Sequence, residues 1–169
     1  MSSYPLLKVM LLGDSNVGKT SLARRFCEGK FEQSRVLTIG VDFQTKVVQL
    51  RSGTVKLSIW DVAGQPRFQV VRETFYRGCL AAALIYDLTD KASLTNLDNW
   101  LQEIRGFAPN TRFLVAGNKL DLVNGETNVE GKAFAVKHSM PYVETSAATG
   151  KNVDQMFVGL AYLALMGCK

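Results

Sequence analysis

One histidine, His138, and three cysteines, Cys27, Cys79 and Cys168, are all the chain offers of the side chains that most often hold zinc. No C-x-x-C pair occurs, and three widely separated thiols make no disulfide framework. A reducing, cytoplasmic setting is therefore expected. Four prolines and a charged fraction of 21% are too little of either for a chain disordered over its length. Long apolar runs are missing as well: the late stretch 158–168 is too short to cross a bilayer. The opening residues Met1-Ser2-Ser3-Tyr4-Pro5 carry neither a signal peptide nor a glycine for myristoylation, and Cys168 stands too near the end for a C-a-a-X box. There is no long basic block either. A net charge of +5 reads as a solvated surface with some phosphate-binding positions, and no nucleic-acid partner is expected.

What is present is a chain of 169 residues, 47% of them hydrophobic, enough for one domain with its own core. Its most informative stretch is Gly13-Asp14-Ser15-Asn16-Val17-Gly18-Lys19-Thr20, which follows the apolar run Leu6-Leu7-Lys8-Val9-Met10-Leu11-Leu12. The spacing G-x-x-x-x-G-K-[ST] lets the backbone wrap a phosphate chain with its N–H groups pointing inward. Lys19 would bring a point charge to the terminal phosphates, and the Thr20 hydroxyl would be a ligand for Mg²⁺. A helix starting near Lys19 adds the positive end of its dipole. An ordinary glycine turn would explain the glycines alone, but not a strand before them and a helix after.

Further along, Val41-Asp42-Phe43-Gln44-Thr45-Lys46-Val47-Val48-Gln49-Leu50 and Val55-Lys56-Leu57-Ser58-Ile59-Trp60 flank the turn Arg51-Ser52-Gly53-Thr54 and predict a β-hairpin. Residues 80–86 and 113–116 are continuously apolar, as strands buried on both faces are. A helix after Ser93 puts Leu94, Leu97, Leu101 and Ile104 on one face. Residues 130–137 predict a short helix, 142–144 a last strand, and 153–165 a final helix with Val153, Phe157, Leu160 and Ala164 on one stripe. Strands alternating with helices predict an α/β fold: a six-stranded, mostly parallel sheet with one antiparallel edge strand and about five helices on both faces.

Ligands of such a sheet bind beyond the carboxyl ends of its strands. There stands Asp61-Val62-Ala63-Gly64-Gln65, in which a carboxylate can hold Mg²⁺, a glycine N–H can meet a terminal phosphate and an amide can orient water. Asn118-Lys119-Leu120-Asp121 follows a later strand. Asp121 can accept from both N1–H and the N2 amine of guanine, a pair that adenine does not offer. Asn118 would reach N7 or tie loops together, and the Lys119 stem would cover the base. In Thr145-Ser146-Ala147-Ala148, the Ala147 N–H could meet guanine O6.

The order GDSNVGKT, T, DVAGQ, NKLD, TSA resembles the Ras superfamily of small GTPases over nearly the whole chain. Within it the chain is most similar to the Rab family, at Ile39-Gly40-Val41-Asp42-Phe43, Lys56-Leu57-Ser58-Ile59-Trp60-Asp61, Phe75-Tyr76-Arg77-Gly78 and Leu84-Ile85-Tyr86-Asp87-Leu88-Thr89. The resemblance implies one G domain over 1–169, a P-loop NTPase fold, and a slow GTPase acting as a switch in membrane traffic. It implies GTP or GDP held by Gly13, Asp14, Ser15, Asn16, Val17, Gly18, Lys19, Thr20, Ser21, Phe31, Thr38, Gly64, Asn118, Lys119, Asp121, Ser146, Ala147 and Ala148. Mg²⁺ would be held by Thr20, Thr38 and Asp61, and catalysis would rest on Gln65 and Lys19. Switch I would span about 31–40 and switch II about 61–76. Ile39, Phe43, Trp60 and Tyr76 would meet effectors. An exchange factor, a GTPase-activating protein and effectors are the implied partners of a monomer, and membrane attachment would need a lipidated tail that these residues do not include.

Three departures from the Rab pattern stand out. Pro66 replaces a glutamate and would either start a switch II helix or restrict loop remodelling. Ala148 replaces a lysine, predicting faster nucleotide exchange that Ala148→Lys would slow. The chain also stops without a variable tail. Arg35 and Arg67 lie in the switches, but neither is assignable as an arginine finger. Arg24 and Arg25 read as solvating a helix face, His138 as a surface residue, and Cys27 and Cys79 as structural. The rival readings are an ATP-dependent P-loop kinase, which should lack N-K-x-D, and a non-catalytic nucleotide-binding scaffold.

Overall fold

A strand with apolar residues on both of its sides has to lie between two layers, and β1 (Leu6–Leu12) does so at the centre of a six-stranded sheet. Leu7, Val9 and Leu11 enter one hydrophobic layer, and Met10 and Leu12 enter the other. This computed structural model describes residues 3–32, 38–124 and 128–168. The strand order is β2-β3-β1-β4-β5-β6, with β2 (Val41–Leu50), β3 (Gly53–Val62), β4 (Ala81–Asp87), β5 (Arg112–Asn118) and β6 (Tyr142–Glu144). Only β2 and β3 pair antiparallel, in register from Val41 opposite Val62 to Leu50 opposite Gly53. The turn between them is Arg51-Ser52, two residues shorter than the sequence suggests, because Gly53 already pairs with Leu50.

Helices α1 (Lys19–Glu28) and α6 (Val153–Met166) cover one face. Phe26 of α1 stacks on Phe157 of α6, with ring centroids 4.2 Å apart. The other face carries α2 (Gln69–Glu73), α3 (Lys91–Thr95), α4 (Leu97–Arg105) and α5 (Val129–Lys137). Only Asn96 separates α3 from α4, so the two run on as one rod, and among the described residues five α-helical bodies flank the sheet. The predicted stripe Leu94, Leu97, Leu101 and Ile104 is buried, joined by Trp100. So is Val153, Phe157, Leu160 and Ala164 on α6.

Strand β4 places Ala81, Ala83 and Ile85 on the α1/α6 side and Ala82, Leu84 and Tyr86 on the other. Small residues here let helices approach the sheet closely from both sides. At the carboxyl ends of β1, β3, β4 and β5 the chain turns into loops on one rim, where all the motifs gather. Pro66 opens the one-turn 3₁₀ helix Pro66–Phe68, which leads directly into α2. Of the two roles open to it, Pro66 takes the first-turn one: its fixed φ suits that position and no N–H is needed there.

Candidate functional site

The rim encloses a cavity of about 430 Å³. Ser15, Asn16, Gly18, Lys19, Thr20, Ser21, Phe31, Thr38, Gly64, Asn118, Lys119, Asp121, Ala147 and Ala148 line it, drawn from segments that are far apart in sequence. Arg24, Lys30 and Glu32, which the motifs do not single out, line it too. Residues 33–37, and with them Arg35 and the middle of the expected switch I, lie outside the described residues.

At the phosphate end, the loop 13–18 curls so tightly that Gly18 has φ +104°, and a β-carbon there would sit 2.2 Å from Asn118 Nδ2. Lys19 lies 6% exposed and donates to the Gly13 and Asp14 carbonyls at 2.7 Å each, which aims its ammonium into the curl. Burial lowers its pKa to about 8, against the opposing pull of Asp61 and Asp14. Anionic phosphates beside it would favour the charged form. Gly64 approaches from β3's end; a β-carbon on it would lie 2.5 Å from the Ser15 backbone nitrogen, so only glycine brings the two loops this close.

Three oxygens gather beside Lys19. Thr20 Oγ1 donates to Asp61 Oδ2 at 2.5 Å, and Thr38 Oγ1 lies 2.8 Å from Thr20 Oγ1 and 3.4 Å from Asp61 Oδ2. Asp61 Oδ1 is buried without a hydrogen-bond partner among the described residues. Burial raises the Asp61 pKa, against hydrogen bonds from Thr20 and the charge of Lys19. An orphaned carboxylate oxygen next to two hydroxyls is a hard-oxygen set that fits Mg²⁺, which needs few carboxylates when phosphates and water complete its shell. Among the described residues no three acidic, histidine or cysteine side chains cluster, so the set does not fit a zinc-type site.

At the other end, Asn118 is 1% exposed and ties loops together: its Nδ2 donates to the Val17 carbonyl at 2.9 Å and its Oδ1 accepts from Thr145 Oγ1 at 3.0 Å. Asp121 Oδ1 accepts from Ser146 Oγ at 2.7 Å. Lys119, left-handed at φ 68°, reaches Asp87 Oδ2 at 2.7 Å, which stretches its stem along the cavity wall. Burial works to raise the Asp87 pKa, but hydrogen bonds from Lys119 and Thr89 prevail and hold it below the usual carboxylate value. Phe31 closes the side of the cavity at 37% exposure.

A glycine-rich loop with a buried lysine, two hydroxyls beside Asp61 and the Asp121 carboxylate thus gather at one cavity. The family model described as "Ras family" matches residues 8–165. Ras-related protein Rab-1D of Dictyostelium discoideum is 42% identical over 157 residues, covering 91% of this chain and 77% of that protein. Rab-1A of the same organism is 44% identical over 160 residues, covering 92% and 79%. RAB1BV of Beta vulgaris is 39% identical over 160 residues, covering 92% and 74%. This chain is a Rab-like member of the Ras family.

A Rab-like protein is a GTP-binding switch and a GTPase that regulates vesicle traffic; Ras-family GTPases use Mg²⁺ with GTP and answer to regulators and effectors. Within this GTPase four sequence expectations change. Tyr76 is wholly buried, and its hydroxyl donates to Glu103 Oε1 at 2.5 Å, so it is a core residue and cannot present a docking ring. The neighbouring Phe75 instead lies beside the aromatics of β2 and β3: its ring is 5.5 Å from Trp60, which stacks on Phe43 at 5.0 Å. Phe43 is 57% and Ile39 80% exposed. Asp14 turns its carboxylate away from the cavity, where Asn96 Nδ2 and Trp100 Nε1 donate to its Oδ1 at 2.5 and 2.8 Å. Gln65 lies outside the cavity lining, its Oε1 accepting from Arg67 Nε at 2.8 Å.

The fourth change is Arg25, which does not merely solvate a helix face. It donates from Nε to the Ala147 carbonyl at 2.8 Å and from Nη2 to the Ala148 carbonyl. Sequence reasoning also missed Arg72, whose Nη1 donates to the Gln65 carbonyl at 2.9 Å while its other nitrogens grip Glu103. A charged residue at a position otherwise buried would have been the available signal. The remaining candidates lie elsewhere. His138 packs on Phe134 with Nε2 3.3 Å from Asp98, Cys79 is buried, and Cys27 is half-buried.

Proposed function

We propose that the residues of this cavity hold and hydrolyse GTP as follows, with the chain acting as one G domain whose switches span about 31–40 and 61–76. The backbone N–H groups of the loop 13–18 and Lys19 bind the β- and γ-phosphates, and the start of α1 adds its dipole. Thr20, Thr38 and Asp61 hold Mg²⁺, which supplies positive charge against the phosphate oxygens. Asp121 accepts from N1–H and N2 of guanine, the Ala147 N–H donates to O6, and Phe31 and the Lys119 stem cover the base faces.

Gln65 orients the attacking water once its amide leaves Arg67 and swings toward the Gly64 side of the cavity. Pre-aimed amides and Lys19 then stabilise charge on the phosphoryl oxygens. Ordering of Thr38 and Gly64 around the last phosphate is the signal, and its loss on hydrolysis resets the switch. Ile39, Phe43, Trp60 and Phe75 form the face that effectors read. Among the described residues no helix is long and apolar enough to cross a membrane. The protein is assigned to the cytoplasm, with peripheral attachment to a membrane if the full-length protein carries a lipidated tail.

The observation that carries this reading is the trio Thr20, Thr38 and Asp61, brought together from three segments with one carboxylate oxygen left unpaired. The test is single-turnover hydrolysis of GTP with Mg²⁺, alongside identification of the nucleotide released when the purified protein is denatured. Guanine nucleotide and a rate on the order of 10⁻⁴ s⁻¹ are expected, reduced about tenfold or more in Gln65→Leu. Adenine nucleotide in the released fraction would overturn the base assignment. A GTP turnover unaffected by Gln65→Leu would remove Gln65 from its role.

A further inference from the structure

The loop that carries the Ala147 amide is held from two sides. On the side of the cavity, Ser146 Oγ donates to Asp121. The loop also closes on itself, with Ser146 N–H donating to the Lys151 carbonyl at 3.0 Å and Gly150 N–H to the Ser146 carbonyl at 2.8 Å. Neither bond fixes the peptide between Ala147 and Ala148. That peptide and the next are gripped from behind by Arg25, through Nε to Ala147 O at 2.8 Å and Nη2 to Ala148 O. Its stem lies against Gly150, where a β-carbon would stand 3.7 Å from Arg25 Cδ. Among the described residues no other side chain bonds either carbonyl, and Ala148 itself offers only a methyl group toward the cavity.

A guanidinium suits this task. Its planar fork presents several donors at fixed angles, so two neighbouring carbonyls are held at once and the residue between them cannot rotate. The Ala147 carbonyl shares its peptide plane with the Ala148 N–H, whereas the plane that carries the Ala147 N–H is held through the Ser146 carbonyl by Gly150. Arg25 thus fixes the plane after Ala147 and Gly150 the plane before it, and together they leave that residue no free torsion. Arg25 stands on α1, whose first turn contains Lys19 and Thr20. One helix therefore carries the phosphate ligands at its start and the brace of the base loop near its end.

We propose that Arg25 is a positioning residue for base recognition: by holding the peptide that follows Ala147 it keeps that residue, and with it the amide that meets purine O6, from turning, and it couples the base loop to the phosphate-binding helix. The proposal rests on the guanine reading above. It is tested by measuring dissociation of GDP and of 2-aminopurine riboside diphosphate, which keeps the N2 amine but has neither O6 nor a proton on N1 (a loss to Asp121 common to all three proteins), from wild type, Arg25→Ala and Arg25→Lys in the presence of Mg²⁺.

GDP should leave Arg25→Ala about tenfold faster than wild type, with Arg25→Lys in between because an ammonium cannot span both carbonyls as a fork does. Release of the O6-lacking probe should change less than about twofold, and single-turnover hydrolysis of bound GTP should be unchanged. Equal acceleration of both nucleotides would mean general loosening and would overturn the proposal, as would unchanged GDP release. Should Arg25→Ala fail to fold, the comparison between Arg25→Lys and wild type decides on the same ratio. If wild type itself shows no preference for GDP over the probe, the guanine reading fails, and the proposal with it.

Discussion

Arg72 and Glu103 meet as a two-pronged ion pair between α2 and α4, Nε to Oε1 at 2.7 Å and Nη2 to Oε2 at 2.9 Å, with side chains only 5% and 12% exposed. Burial works against the arginine's charge, but the bonds and charge of Glu103 outweigh it and raise the Arg72 pKa. Tyr76 adds its hydroxyl to Glu103 Oε1, and Arg72 stacks 4.4 Å from the Trp100 ring. A pair of this kind is costly to break from one side, because the abandoned charge stays buried. Glu103→Ala should therefore destabilise the protein by about 3 kcal/mol, read from urea unfolding. Replacing both partners by apolar residues, Arg72→Met with Glu103→Leu, should recover most of that loss. A single variant that unfolds at the wild-type urea midpoint would show the pair to be structurally idle.

The Asp121 carboxylate, anchored by Ser146, is assigned to the guanine N1–H and N2 amine. An amide in its place offers one acceptor and one donor, which suits the xanthine ring. Asp121→Asn should weaken GDP binding by about a hundredfold and bind xanthosine diphosphate more tightly than GDP. Competition binding with both nucleotides reads the switch, and an unchanged preference for GDP would remove Asp121 from base recognition.

Phe43 and Tyr76 should behave oppositely when truncated. Phe43 is exposed on the edge strand β2 and stacks on Trp60, so Phe43→Ala should leave unfolding nearly unchanged yet weaken capture of GTP-loaded protein by effectors about tenfold or more. Tyr76→Ala should instead cost about 3 kcal/mol of stability, since it empties a buried site and removes one hydrogen bond from Glu103. Urea unfolding, paired with effector capture, separates the two.

Thiol labelling offers a simple check on packing. Cys168 is exposed, Cys27 is half-buried with its pKa raised by burial, and burial lifts the Cys79 pKa to about 12. In folded protein at pH 8, one thiol should react within the mixing time, a second slowly, and Cys79 only on unfolding. Rapid reaction of Cys79 would show that the layer under α4 is loose.

The fold class, the hairpin and most of the cavity residues were legible in the sequence, because each motif residue is tied to backbone geometry that its neighbours also dictate. Gly18, Lys19 and Gly64 sit where their spacing placed them. Contacts between distant segments were not legible. Asp14 to Trp100, Arg25 to Ala148 and Arg72 to Glu103 depend on how helices lie across the sheet, which no local pattern encodes. That Tyr76 is buried was not legible for a related reason. Two adjacent aromatics follow a five-residue helix, and the turn after Glu73, not the residue types, decides which ring points inward.

The α3–α4 rod grips Asp14 through Asn96 and Trp100 and, one turn after Trp100, grips Arg72 through Glu103. The loop that carries Asp14 and the segment that carries Arg72 are therefore surveyed from a single datum. A displacement of that rod, by a bound molecule wedged beneath it or by a substitution in its packing, would offset both at once. Affinity for nucleotide and speed of turnover should then drift together across such perturbations, as two readings of one misaligned gauge.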